Sequence, residues 1–172
     1  MKKVFAFVLT AAVLLSLAAC STAAKTDRAD ETPAAEQTQT DNTQIPNPWT
    51  EYDSLDEAIA AAGFDCTIPD TIGGCSEKAF RVLDADGETM LEVIYADGET
   101  EIARVRKAPG TEDISGDYNA YDAQDVAVGD VTVTMKSADG LVKLAIWQDG
   151  GYTYAVSVEA GCSADAMAEL VS

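Results

Sequence analysis

Histidine is missing from all 172 residues, and this narrows the chemistry the chain could perform. Ser-His-Asp and Cys-His nucleophile systems are excluded, along with the commonest transition-metal ligand. Hydrolysis by paired carboxylates stays formally open in a chain with 30 acids, yet no pair is singled out by its neighbours. An acid on an exposed strand most often serves solubility. Cys66, Cys75 and Cys162 lie well inside the chain, none in C-x-x-C spacing, so zinc and thioredoxin-like chemistry lack support. Cys66 and Cys75 are separated by Pro69, Gly73 and Gly74, which let the chain reverse, so this pair is a candidate disulfide in an oxidising compartment. The alternative is three buried thiols acting as small hydrophobes.

The fourth cysteine has a different setting. Lys2 and Lys3 precede the apolar run "VFAFVLTAAVLLSLAA", and Cys20 follows it directly. From Val4 to Ala19 the run would make roughly 24 Å of helix, short of the ~30 Å hydrocarbon core of a bilayer. Leu17-Ala18-Ala19-Cys20 resembles the lipobox of bacterial lipoproteins. The resemblance implies that the Cys20 thiol takes a diacylglycerol and that residues 1–19 are removed as a signal peptide. An ordinary signal peptide, or an uncleaved anchor, is the competing reading. Losing Lys2 and Lys3 lowers the basic count from 11 to nine against 30 acids, a net charge of −21. Such an excess repels phosphate backbones and anionic headgroups, so no nucleic-acid partner is expected and the lipid must supply the membrane attachment.

Two oxygen-rich stretches invite a calcium reading. "DADGE" at 84–88 fails it: with Gly87 at the sixth loop position, the first and last ligand positions are Val82 and Val93. A hairpin turn accounts for it. The second stretch is "RVRKAPGTEDISGDYNAYDAQD". Arg104, Arg106 and Lys107 run into a loop where Asp113, Ser115, Asp117 and Asn119 put oxygens at alternate positions. Basic strand residues facing an acidic loop stiffened by Asx and ST turns is the favoured reading. A peptide or small-ligand surface formed by Arg104, Arg106, Lys107, Asp113, Asp117, Tyr118 and Asn119 is the functional one, and a calcium loop is the third. No metal or cofactor is assigned. Trp49 and Trp147 are expected in packing rather than ligand stacking.

The elements that must position these residues follow from periodicity. Residues 20–48, rich in Thr, Gln, Asp, Glu and Pro, cannot bury enough surface to fold and read as a tether beginning at Cys20. Residues 49–172 suffice for one domain. It is expected to open with a helix: Ser54 and Glu57 form a capping box, Leu55, Ala58, Ile59 and Ala62 share a face, and Gly63 stops it. "ETMLEVIYA" and "ETEIARVRK" flank Asp97-Gly98, suited to a type I′ turn, and "DVTVTMKSA" and "LVKLAIWQ" flank Asp139-Gly140. "GYTYAVSVE" follows the turn at 149–151. Alternation in Val131, Val133 and Met135 gives one buried and one wet face. A second helix starts at Ser163, with Met167, Leu170 and Val171 turned inward. The expected class is α+β: a twisted antiparallel sheet of hairpins with a short helix at each end, packed on one face.

"NPWTEYDSLDEAIAAAGFDCTIPDTIGG", "RKAPGTEDISGDYNAY" and "LAIWQDGGYTYAVSVEAGCSADAMAELV" resemble the extracytoplasmic domains of a family in clostridial and related gut Firmicutes, domain of unknown function 4367. The resemblance spans roughly residues 46–172 and implies an exported or lipid-anchored α+β domain without established catalytic residues. Relatives associated with the family often carry Leu at the position of Cys162 and Tyr near Cys75, which makes those cysteines departures from its pattern.

Together these readings lead to a monomeric lipoprotein of the cell membrane, its domain on the extracytoplasmic side, binding a protein, peptide or envelope component without catalysis. An envelope-sensing module working through a membrane partner, and a carboxylate-based cell-wall hydrolase, are the alternatives. Replacing Cys20 with Ala is expected to move the protein from the membrane to the soluble fraction of lysed cells. Continued sedimentation of the variant with membranes would refute anchoring by lipid alone.

Overall fold

The computed structural model describes residues 47–171; the expected signal peptide, Cys20 and the expected tether up to residue 46 lie outside the described residues. The chain enters not on a helix but on a short strand, β1 (Trp49–Tyr52), followed by α1 (Leu55–Ala62). Then come β2 (Lys78–Ala85), β3 (Glu88–Asp97), β4 (Thr100–Pro109), β5 (Asp122–Val128), β6 (Val131–Ala138), β7 (Leu141–Asp149), β8 (Tyr152–Cys162) and α2 (Ala164–Val171). All eight strands form one antiparallel sheet in the order β1-β2-β3-β4-β8-β7-β6-β5. It is an α+β architecture, dominated by strands. Two four-stranded meanders join where the last strand of each pairs with the other, Val105 opposite Val156.

Five hairpins close with two residues each, and backbone stereochemistry selects those residues. Asp86-Gly87, Asp139-Gly140 and Gly150-Gly151 have positive φ at both positions, as a type I′ turn requires. The β3–β4 turn differs from the sequence expectation. Asp97 pairs with Thr100, so the loop is Gly98-Glu99, with the positive φ at its first position in the manner of type II′. A bulge then displaces the register by one: Tyr95 faces Ala103 while Ala96 faces Glu101, leaving Ile102 as the extra residue.

Both helix caps form from the residues that the sequence marks. Ser54 Oγ accepts from Glu57 N–H at 3.3 Å, and Gly63, at φ 79°, donates its N–H to Ile59 O. The Glu57 carboxylate accepts from Asp53 N–H, one residue before the position a standard capping box uses. Ser163 Oγ accepts from Ala166 N–H at 3.2 Å.

Strand alternation divides the sheet into two faces. Val82, Leu91, Val93, Tyr95, Val105, Val133, Trp147 and Val156 lie on the apolar face and join one core cluster with Ala58 of α1 and Met167 of α2. The opposite face carries Arg81, Glu92 and Arg106 at facing positions of β2, β3 and β4, with Arg104 two residues along β4, opposite Ile94. Leu91 is wholly buried near the middle of the apolar face. Its replacement by Ala removes methylenes and leaves a cavity, so the variant is expected to lose about 2–5 kcal/mol of stability. Urea denaturation checks this, and a loss below about 1 kcal/mol would mean that the site collapses freely.

Candidate functional site

Glu92 occupies a position that a β-strand normally gives to solvent or to an apolar side chain. Its carboxylate has no exposed surface and meets three arginines. Arg81 Nε bonds Oε1, Arg106 Nε lies 2.5 Å from Oε2, and Arg104 Nε is 3.6 Å from Oε2. Arg104 turns its Nη2 to Glu101, 2.5 Å away. The Trp49 ring covers the group, with the Arg81 guanidinium carbon 4.7 Å and that of Arg106 6.0 Å from its centroid. The expected packing role of Trp49 is therefore met by stacking on cations.

Arg106 extends this cluster into the loop after β4. Its Nη1 donates to the carbonyls of Ile114 (2.9 Å) and Ser115, so residues 110–121 are pinned against the arginine face. The loop stiffens itself from within: Asp113 Oδ1 accepts from Ser115 N–H, Ser115 Oγ from Asp117 N–H, and Asp117 Oδ1 from Asn119 N–H. Tyr121 donates its hydroxyl proton to Asp117 Oδ2 at 2.7 Å, and Lys136 pairs with Asp113. The alternating oxygens thus serve as consecutive Asx and ST turns, directed at their own backbone. Burial works against the ionised forms of Asp113 and Asp117, but these donors prevail and hold both carboxyls below their ordinary value of 3.8.

The seven residues singled out in the sequence do not form one surface. Arg104, Asp117, Tyr118 and Asn119 come together, with Glu101, Ser157 and Glu159, around a concavity of about 450 Å³. Tyr118 is 98% exposed at its rim. Arg106, only 9% exposed, lies beneath as a support, and Asp113 is tied to Lys136. Lys107 is a correction. Successive strand residues point to opposite faces, so it lies on the apolar face, 8% exposed, away from the arginines. There its ammonium donates to Asp65 O at 2.6 Å and sits 4.4, 4.9 and 5.6 Å from the ring centroids of Tyr152, Tyr154 and Phe64.

The expected Cys66–Cys75 bridge is a second correction, since both are free thiols, as is Cys162. Cys66 is buried in the core, where burial pushes its thiol upward against the lowering effect of Lys107. Cys75 is held in its own tight turn, with Ile72 and Cys75 exchanging backbone hydrogen bonds, and its Sγ lies 3.0 Å from Ala96 O. Each thiol is anchored in a separate environment.

Glu92, Arg81 and Glu101 escaped the sequence reading. A signal was present: Glu92 stands between Met90 and Ile94 on one face of its strand, while Leu91 and Val93 fill the other, so the strand is apolar on both sides around a single acid. Comparison with protein-family models, curated proteins and solved structures gives no match for this chain.

Gly116 is where the loop touches its support. Its φ is +65°, and a Cβ there would lie 2.5 Å from Arg106 Nη1. Gly140, at φ +77°, has open space around it. Both Gly→Ala variants should lose about 1 kcal/mol of stability to the backbone strain that a Cβ brings at positive φ, but Gly116→Ala should lose more because the guanidinium must move. Thermal melts of the two variants check this; equal losses would mean that Arg106 does not fix the loop.

Proposed function

We propose that this chain is a lipid-anchored extracytoplasmic protein whose folded domain is a non-catalytic binding module. In this reading the diacylglycerol on Cys20 holds it to the cell membrane, the domain acts as a monomer outside the cell, and its likeness is to domain of unknown function 4367. Both helices are read as packed on one face, which their shared core cluster with Val93, Val105 and Val156 supports.

Tyr118 carries the binding reading. A large aromatic side chain, almost wholly exposed, stands on a loop whose backbone is already fixed by Arg106 and by its own side-chain turns. Ordering a loop on association costs free energy, and here that ordering is largely complete beforehand. Tyrosine supplies wide contact area with few rotatable bonds and is enriched among residues that dominate interfaces. Beside it the concavity offers the Arg104 guanidinium, the Asn119 amide and the carboxylates of Glu101, Asp117 and Glu159. This mixture suits the polar backbone and charged side chains of a protein or peptide at the cell surface.

Asp117 argues against hydrolysis at this site. A general acid needs a carboxyl raised toward the working pH, and its N–H and O–H donors hold it low instead.

A photo-cross-linking residue placed at position 118 should capture a partner on intact cells, while the same residue at exposed Asp86, in the β2–β3 turn, should not. Tyr118→Ala should abolish competition by the purified protein for that adduct yet change stability by less than about 0.5 kcal/mol. Equal capture at both positions, or none at 118, would count against a binding surface here.

A further inference from the structure

A second concavity, of about 530 Å³, opens on the apolar face between the segment after α1, the sheet and α2. Its volume lies in the range of small-molecule sites, about 300–1,000 Å³. It is independent of the Tyr118 loop, which belongs to the arginine face.

Three features define what this cavity would accept. Lys107 presents a buried ammonium to it, on a strand face whose neighbours Leu91, Val105 and Val156 are apolar. Among the described residues this ammonium forms no ion pair; it has the Asp65 carbonyl and three aromatic rings. Removing a cation from water costs several kcal/mol, and one carbonyl with ring faces replaces only part of its hydration. Trp147, stacked on Tyr154 with centroids 5.1 Å apart and planes 6° apart, joins Val156 and Leu170 as an apolar wall. Asp65, Asp149 and Glu169, all exposed, add carboxylates to the lining.

We infer that this cavity binds a small zwitterion with an apolar body, its carboxylate on Lys107 Nζ, its side chain against Trp147 and Leu170, and its ammonium toward Asp65 and Asp149. A simple anion would meet the acids and the strongly negative chain. A simple cation would meet Lys107. Only a ligand carrying both signs satisfies both sets of groups. Apolar α-amino acids and the ends of very short peptides share this chemistry.

The two tryptophans supply an internal control, since Trp147 lines the cavity and Trp49 covers the arginines on the other face. In NMR spectra of the purified full chain, L-leucine should shift the Trp147 indole N–H signal and leave that of Trp49 in place. L-Leucinamide, which lacks the carboxylate, should bind about tenfold more weakly or worse, and N-acetyl-L-leucine should also lose affinity. Alanyl-leucine distinguishes the sources: binding tighter than leucine marks a peptide end, weaker binding a free amino acid. Lys107→Met should remain folded, because an apolar isostere removes a buried charge, and should lose the leucine response. Should that variant unfold, the leucine-to-leucinamide comparison on the unaltered chain still decides. Leucinamide binding as well as leucine, or no Trp147 shift up to about 10 mM, would overturn the inference.

Discussion

A carboxylate with no access to water sets the terms for one half of this molecule. A carboxylate buried inside a sheet needs cations and donors to replace its hydration, and around Glu92 this is done directly by Arg81 and Arg106, while Arg104 adds its charge from 3.6 Å. Such an ion cluster is a weak source of net stability, because desolvation offsets most of the attraction. Its effect is on geometry. The guanidinium planes need fixed positions around one carboxylate, which locks the register of β2, β3 and β4. The hydrogens that Arg106 has left over determine where the 110–121 loop lies. Trp49 then covers the arginines, giving the four-residue β1 a packing role out of proportion to its length.

Strand β4 shows how one segment can serve two unrelated environments. Arg104 and Arg106 enter the ion cluster, while Lys107, the next residue, points into an aromatic enclosure on the other side. In sequence these three look like one basic patch. The pleat of a strand separates them by the thickness of the sheet.

Legibility varied with the range of the interaction. The hairpins at 86–87, 139–140 and 150–151 could be read because each depends on two adjacent residues that tolerate positive φ. The helix limits could be read because Ser54, Gly63 and Ser163 act within one turn of themselves. The Asx and ST turns of 113–119 were visible for the same reason. β1 was missed, since four residues carry little periodicity and its pairing partner, Val82 opposite Thr50, lies some 30 residues away in β2. The Gly98-Glu99 turn was displaced by one because the register between β3 and β4 is settled by the whole pairing, including the bulge at Ile102. The Glu92 cluster draws on three strands and Trp49, so it exists only once those strands have been placed.

The join between the meanders has a further consequence, for the sheet's outer boundaries. Pairing β4 with β8 puts the longest strands in the interior and leaves β1 and β5 outermost. An outer strand offers unpaired backbone groups to any extended chain that passes, including another copy of the same protein. β1 is too short to template much pairing, and β5 reads "DAQDVAV", with its first four residues exposed and two of them acidic. Like charges would come together if two β5 edges aligned. Pairing of two copies through their β5 edges is therefore disfavoured, each sheet ending at its own border.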